Sequence, residues 1–138
     1  MQSKLNPYLS FKNNARQAME FYKSVFGGNL QLRTFKEFHA SQTPEEENLI
    51  MHAELNAGDV LTFFASDTPA RMEYHPGTNI NMSLTGDNES ELKTYFQKLS
   101  AGGKVSMPLK TEVWGDTFGM CTDKFGVGWM VNINAKKS

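Results

Sequence analysis

Two stretches of this 138-residue chain, 7–22 and 81–96, carry one pattern at a constant offset of 74 (81 − 7). In each, a short aromatic or apolar run leads into residues repeating at helical spacing. The first set is Ala15, Ala18, Met19, Tyr22, Val25 and Phe26; the second is Leu92, Tyr95, Phe96 and Leu99. Apolar side chains three and four apart share one helix face, so the spacing predicts helices near 13–27 and 88–101. Asn13 or Asn14 and Asn88 stand where a side-chain oxygen can accept the orphan N–H groups of a helix start. Glu91 gives the second start a capping-box spacing. Gly27-Gly28 and Gly102-Gly103 can end each helix in a left-handed conformation.

The rest of the chain reads as strands. Runs at 5–11 and 80–85 precede the helices, 30–38, 49–55 and 60–65 follow the first, and 105–113, 117–122 and 128–133 follow the second. Ala57-Gly58-Asp59, Gly115-Asp116 and Phe125-Gly126 supply turns between them. The turn glycines Gly58 and Gly126 align at an offset of 68 (126 − 58). The order is strand, helix, three strands, stated twice, which is the signature of an internal duplication. The expected class is α+β: two βαβββ modules, approximately 1–66 and 79–138, whose mostly antiparallel sheets form a cup with the helices outside. The polar, proline-bearing stretch 67–78 is a connector inside one domain, since a lone half would leave a sheet face uncovered.

Composition narrows the function. An apolar fraction of 39% supports a packed core, and a formal charge of −1 from 14 basic and 15 acidic residues gives no broad positive face for nucleic acid. Glu45-Glu46-Glu47 after Pro44 reads as a solvated loop. No signal-peptide pattern and no membrane-spanning apolar run is visible. A single cysteine, Cys121, excludes an internal disulfide and suits a reducing compartment, so the expectation is a cytoplasmic protein.

Three segments carry a family resemblance: the run from Asn6-Pro7-Tyr8-Leu9-Ser10-Phe11 through Ala15 to Gly28; Met51-His52-Ala53-Glu54-Leu55; and Val113-Trp114-Gly115 through Thr122-Asp123-Lys124-Phe125-Gly126 to Met130. Together they resemble the PhnB-like branch of the glyoxalase/bleomycin-resistance/dioxygenase superfamily, which has the vicinal oxygen chelate fold. That branch often bears the label "3-demethylubiquinone-9 3-methyltransferase domain", yet the chain has no Gly-rich strand-to-helix loop of the kind that holds an S-adenosyl cofactor. In the superfamily's enzymes, first- and last-strand side chains of each module bind a divalent metal. Carried over, those positions fall on Pro7, Thr62, Asn81 and Met130, a set unsuited to such a metal. The resemblance therefore implies neither metal nor other cofactor, and it implies a homodimer.

The chemistry-bearing residues are few. His52 and Glu54, two apart on a strand, share a face and are candidate ligands, or a base with its orienting carboxylate. Tyr8 is a further acid–base candidate. His39 and His75 lie in loop-like stretches, and Cys121 reads as a buried structural thiol. The large side chains Tyr8, Phe63, Phe64, Met82, Trp114, Phe118, Trp129 and Met130 divide between core and pocket. Tyr8, Asn81, Trp114, Phe118, Met130 and Asn132 are the expected ligand-binding set, with Trp114 at a rim and Trp129 in the core. The function expected is metal-independent binding of a small, partly apolar molecule. The alternatives are a metal-dependent lyase, isomerase or dioxygenase using His52 and Glu54, and a metal-free enzyme using Tyr8 or His52.

Overall fold

The computed structural model describes residues 3–58 and 60–135. These divide into two compact units, Met1–Pro76 and Gly77–Ser138, and the boundary falls within the expected connector. The first unit runs β1 (Tyr8–Phe11), α1 (Ala15–Phe26), β2 (Asn29–Thr34), a 3-10 turn (Pro44–Glu46), β3 (Ile50–Ala57) and β4 (Leu61–Asp67). The second runs β5 (Met82–Gly86), α2 (Glu89–Ser100), β6 (Lys104–Thr111), β7 (Thr117–Thr122) and β8 (Gly128–Ile133). Each unit folds one four-stranded sheet, ordered β1-β4-β3-β2 or β5-β8-β7-β6, with its first and last strands parallel. The chain is thus α+β, a βαβββ unit stated twice.

Each helix covers one sheet face with the apolar stripe its spacing predicts. In the first unit Ala15, Ala18, Met19, Tyr22, Val25 and Phe26 are buried with Ile50, Ala53, Leu55, Phe63 and Ala65. Tyr22 meets Phe63 edge-on at 5.5 Å. In the second, Leu92, Phe96 and Leu99 are buried with Cys121, Trp129 and Val131. Burying one large apolar side chain stabilises by roughly 1.5–3 kcal/mol, so these faces set which side of each sheet is core.

Several local expectations are corrected. The first strand begins at Tyr8 rather than residue 5, and Leu5 is exposed. The second strand stops at Thr34, where the Thr34 hydroxyl accepts the Glu37 N–H and turns the chain. Glu46 is buried, not solvated: its Oε1 accepts the Gln42 N–H and an Arg71 guanidinium N–H. Asn14 makes no side-chain cap for α1; the buried Asp67 accepts the Ala15 N–H instead, at 2.9 Å, and belongs to β4 rather than to the connector. Asn88 does cap α2, accepting the Glu91 N–H at 3.1 Å. The double glycines do more than end helices. A Cβ on Gly28 would run into the Asn56 carbonyl oxygen, and one on Gly103 into that of Thr122.

The repeat alignment also shifts. Leu55 faces Phe63 and Cys121 faces Trp129, so the last two strands of each unit align at 66 (129 − 63), not at 68. Both closing hairpins need a positive φ, but Gly58 supplies it early in its turn and Gly126 late. Asp59 lies outside the described residues. Likewise Thr68 N–H donates to the Phe11 carbonyl and Asn134 N–H to that of Gly86, which aligns the first strands at 75 (86 − 11).

Candidate functional site

The face of the first sheet opposite α1 follows from strand alternation. Ala53 and Leu55 enter the core, so His52, Glu54 and Asn56 stand on the open face. Register adds Thr62, Phe64 and Ser66 from β4, Tyr8 and Ser10 from β1, and Asn29, Gln31 and Arg33 from β2. Three rings converge there. Tyr8 and His52 are hydrogen-bonded, Oη to Nδ1, at 3.2 Å. Phe64 flanks both, its centroid 5.4 Å from His52 and 6.0 Å from Tyr8. Beside the rings runs a polar chain: the Thr62 hydroxyl donates to Asn56 Oδ1 at 2.7 Å, and Asn56 Nδ2 donates to Glu54 Oε2 at 2.6 Å. His52 and Glu54 share the face as expected, but each is engaged by a different neighbour.

The open face of the second sheet is built from Ser83 and Thr85 on β5, Met130 and Asn132 on β8, Phe118 and Met120 on β7, and Met107 and Lys110 on β6. Asn132 Nδ2 donates to Asp116 Oδ2 at 3.0 Å and to Asn134 Oδ1 at 3.1 Å. The Asp116 carboxylate also accepts the Ala135 N–H and a side-chain bond from Trp114. These contacts, led by the Asn132 amide, hold its carboxyl below the usual carboxylate range. Trp114 stands 61% exposed in the turn between β6 and β7. Asn81 precedes β5, and its amide oxygen occupies the space a Cβ on Gly128 would need.

The large side chains of the strands therefore split. Phe63, Met82 and Trp129 turn toward the helices, while Tyr8, Phe64, Phe118 and Met130 stand on open faces. Trp129 is 1% exposed, and its Nε1 donates to the buried Asp123 carboxylate at 2.8 Å. Cys121 is buried, and burial first, then the Asp123 charge, pushes its thiol up to about 11. His39 is exposed with φ 53, and His75 contacts Glu73 in an exposed pair. Sequence reasoning missed the joining of Phe64 to His52 and Tyr8, and it missed Arg33 directly across from His52. Both facts reside in the register, for which one strand's residues carry no sign.

Residues 4–131 match the family described as Glyoxalase/Bleomycin resistance protein/Dioxygenase superfamily. The chain belongs to that superfamily. It is 30% identical over 140 aligned residues to Protein YjdN of Escherichia coli, covering 94% of each chain. Among solved structures it resembles protein PA1353 of Pseudomonas aeruginosa, at 36% identity and TM-score 0.83 over 98% of this chain and 100% of that one. It also resembles the PhnB protein of Bacillus cereus, at 25% identity and TM-score 0.75 over 96% and 100%. These relatives place it in the PhnB-like branch.

The superfamily's metal positions can be tested against the ladder. With Met130 as reference, its partner on the first strand of its unit is Ser83. The equivalent pair in the first unit is Tyr8 and Phe64. Thr62 thus yields to Phe64, and Pro7 and Asn81 yield to Tyr8 and Ser83. The slips of two, from Thr62 to Phe64 and from Asn81 to Ser83, kept the face; the slip of one, from Pro7 to Tyr8, changed it. A phenol, a phenyl ring, a hydroxymethyl and a thioether do not fit a hard divalent ion that takes carboxylate or imidazole ligands. Among the described residues, no three His, Cys, Asp or Glu side chains gather to offer another such site, and no helix is long and apolar enough to cross a membrane.

Proposed function

We propose that the protein binds a small, partly apolar molecule on the open face of its first unit, through side chains alone. The observation that carries this reading is the wall of Tyr8, His52 and Phe64, three rings within 6.0 Å of one another on the sheet face opposite α1. Hydrogen-bonding groups at its margin give what a small-molecule site needs, apolar area with a few fixed polar contacts. Phe118, Met130 and Asn132 on the second unit's open face, with Asn81 and Trp114 at its ends, are proposed as a ligand-contacting surface of that unit. The two units serve as one functional domain, working in the cytoplasm, a compartment suited to a chain with one buried thiol.

Titration with indole, followed by NMR of the aromatic side chains, tests the face. Resonances of Tyr8, His52 and Phe64 are expected to shift together, and Phe64→Ala to weaken binding about tenfold. Saturable binding that leaves those three signals unmoved sinks the assignment.

The protein is also proposed to act as a homodimer. The sheets end in edge strands β1 and β2, or β5 and β6, and pairing across a two-fold axis is the commonest cover for such edges. Light scattering at micromolar concentration should give twice the chain mass; a monomer would count against it.

A further inference from the structure

The donors beside the ring wall point to the chemistry of its ligand, an inference that rests on the binding reading above. Tyr8 Oη and His52 Nδ1 lie 3.2 Å apart; a phenol is the stronger hydrogen-bond donor and an imidazole nitrogen the stronger acceptor, which favours the tautomer in which the hydroxyl donates to Nδ1. In that tautomer the ring proton sits on Nε2, because the bond at one nitrogen sets the role of the other. Among the described residues Nε2 has no protein partner, so the pair presents an N–H donor at the edge of the wall. Directly across the ladder from His52 stands Arg33. Its guanidinium is exposed and, among the described residues, meets Glu37 alone, at 3.6 Å, in a surface pair of the kind that contributes little and exchanges readily. The acid on this face, Glu54, lies two residues further along β3, roughly 7 Å away, and is already engaged by Asn56.

We infer that this corner recognises a flat, conjugated carboxylate, with the ring plane against Tyr8 and Phe64 and the carboxylate oxygens at His52 Nε2–H and the Arg33 guanidinium. Two donors carried by cross-strand neighbours beside an aromatic surface match an anionic acceptor group on a planar body, and a guanidinium suits a carboxylate's two oxygens. Tyr8 acts here as a positioning residue as well as a surface, because its hydroxyl holds the imidazole in the tautomer that donates outward.

The test compares benzoate, its uncharged methyl ester, and cyclohexanecarboxylate, each titrated into the full chain by NMR. Benzoate is expected to bind about tenfold or more tightly than either of the others, the range a charge-assisted hydrogen bond supplies. His52→Phe, which keeps a ring, and Arg33→Gln, an exposed substitution that leaves the core alone, should each remove most of that preference. Imidazole nitrogen shifts should show Nδ1 as the acceptor in the native chain, and Tyr8→Phe should let the tautomers mix. Methyl benzoate binding as tightly as benzoate, or benzoate indifferent to both substitutions, overturns the carboxylate assignment and leaves an apolar binding face standing. If none of the three probes moves the signals of Tyr8 and Phe64, the face itself is refuted.

Discussion

In the first unit the start of α1 is held from far away in sequence, whereas in the second α2 is held by its own first turn. Asp67, at the end of β4, accepts the Ala15 N–H with one oxygen and the Ile50 N–H with the other, at 2.9 and 2.8 Å. It is buried, and it locks α1, β3 and β4 together. At the matching place in the second unit the chain has the apolar Ile133, and Asn88 caps α2 locally. That unit buries its carboxylate at the opposite end of the hairpin, where Asp123 accepts the N–H groups of Phe125, Val127 and the Trp129 indole. Two copies of one topology thus keep their ladders and move their polar anchors. Backbone pairing tolerates many side chains, while a buried carboxylate only needs donors somewhere nearby.

The open faces differ in the same spirit. The first offers a hydrogen-bonded Tyr–His pair, a ring and a cation; the second offers methionines, Phe118, Lys110 and an amide tied to Asp116. The first sets its polar groups beside a wall of three rings, which is why the proposed chemistry is placed there.

Substitutions at the anchors would break or sharpen this contrast. The largest effect is expected from Trp129→Ala, which empties a core volume and strips one partner from Asp123, at a cost of about 3–5 kcal/mol in denaturant unfolding. Asp67→Ala should follow at about 2–4 kcal/mol, because two buried amides lose their acceptor. In that variant, amide exchange should accelerate at the start of α1 and leave α2 unchanged; equal acceleration in both helices would dissolve the contrast between distant and local capping. Asn88→Ala should cost about 1 kcal/mol, the usual worth of a local cap, and confine its exchange effect to α2. Trp114→Ala, at an exposed turn, should stay within about 0.5 kcal/mol. A loss as large as that of Trp129→Ala would make Trp114 a core residue and remove it from the proposed ligand set.

How far the residues alone could be read varied with the range of the interaction. Helix extents came within a residue or two because apolar spacing and Asn88 are local signals. The side of each strand was legible wherever alternation was clear, as at His52 and Glu54. The cap of α1 was misread because Asn14 looked sufficient, while Asp67 was 52 residues away from Ala15. Glu46 was taken for a solvated charge because Arg71, 25 residues further on, cannot be paired with it by spacing.

The sequence by itself determined the order of elements, the duplication, the α+β class and the family, because each rests on periodicities and turn residues that act over a few positions. Only the tertiary structure decided which residues stand opposite one another. A turn glycine can serve early or late in its hairpin, as Gly58 and Gly126 do, and strand alternation repeats every two residues. A slip of two therefore looks the same from the chain, and only the hydrogen-bonded ladder could set Phe64 rather than Thr62 beside Tyr8 and His52.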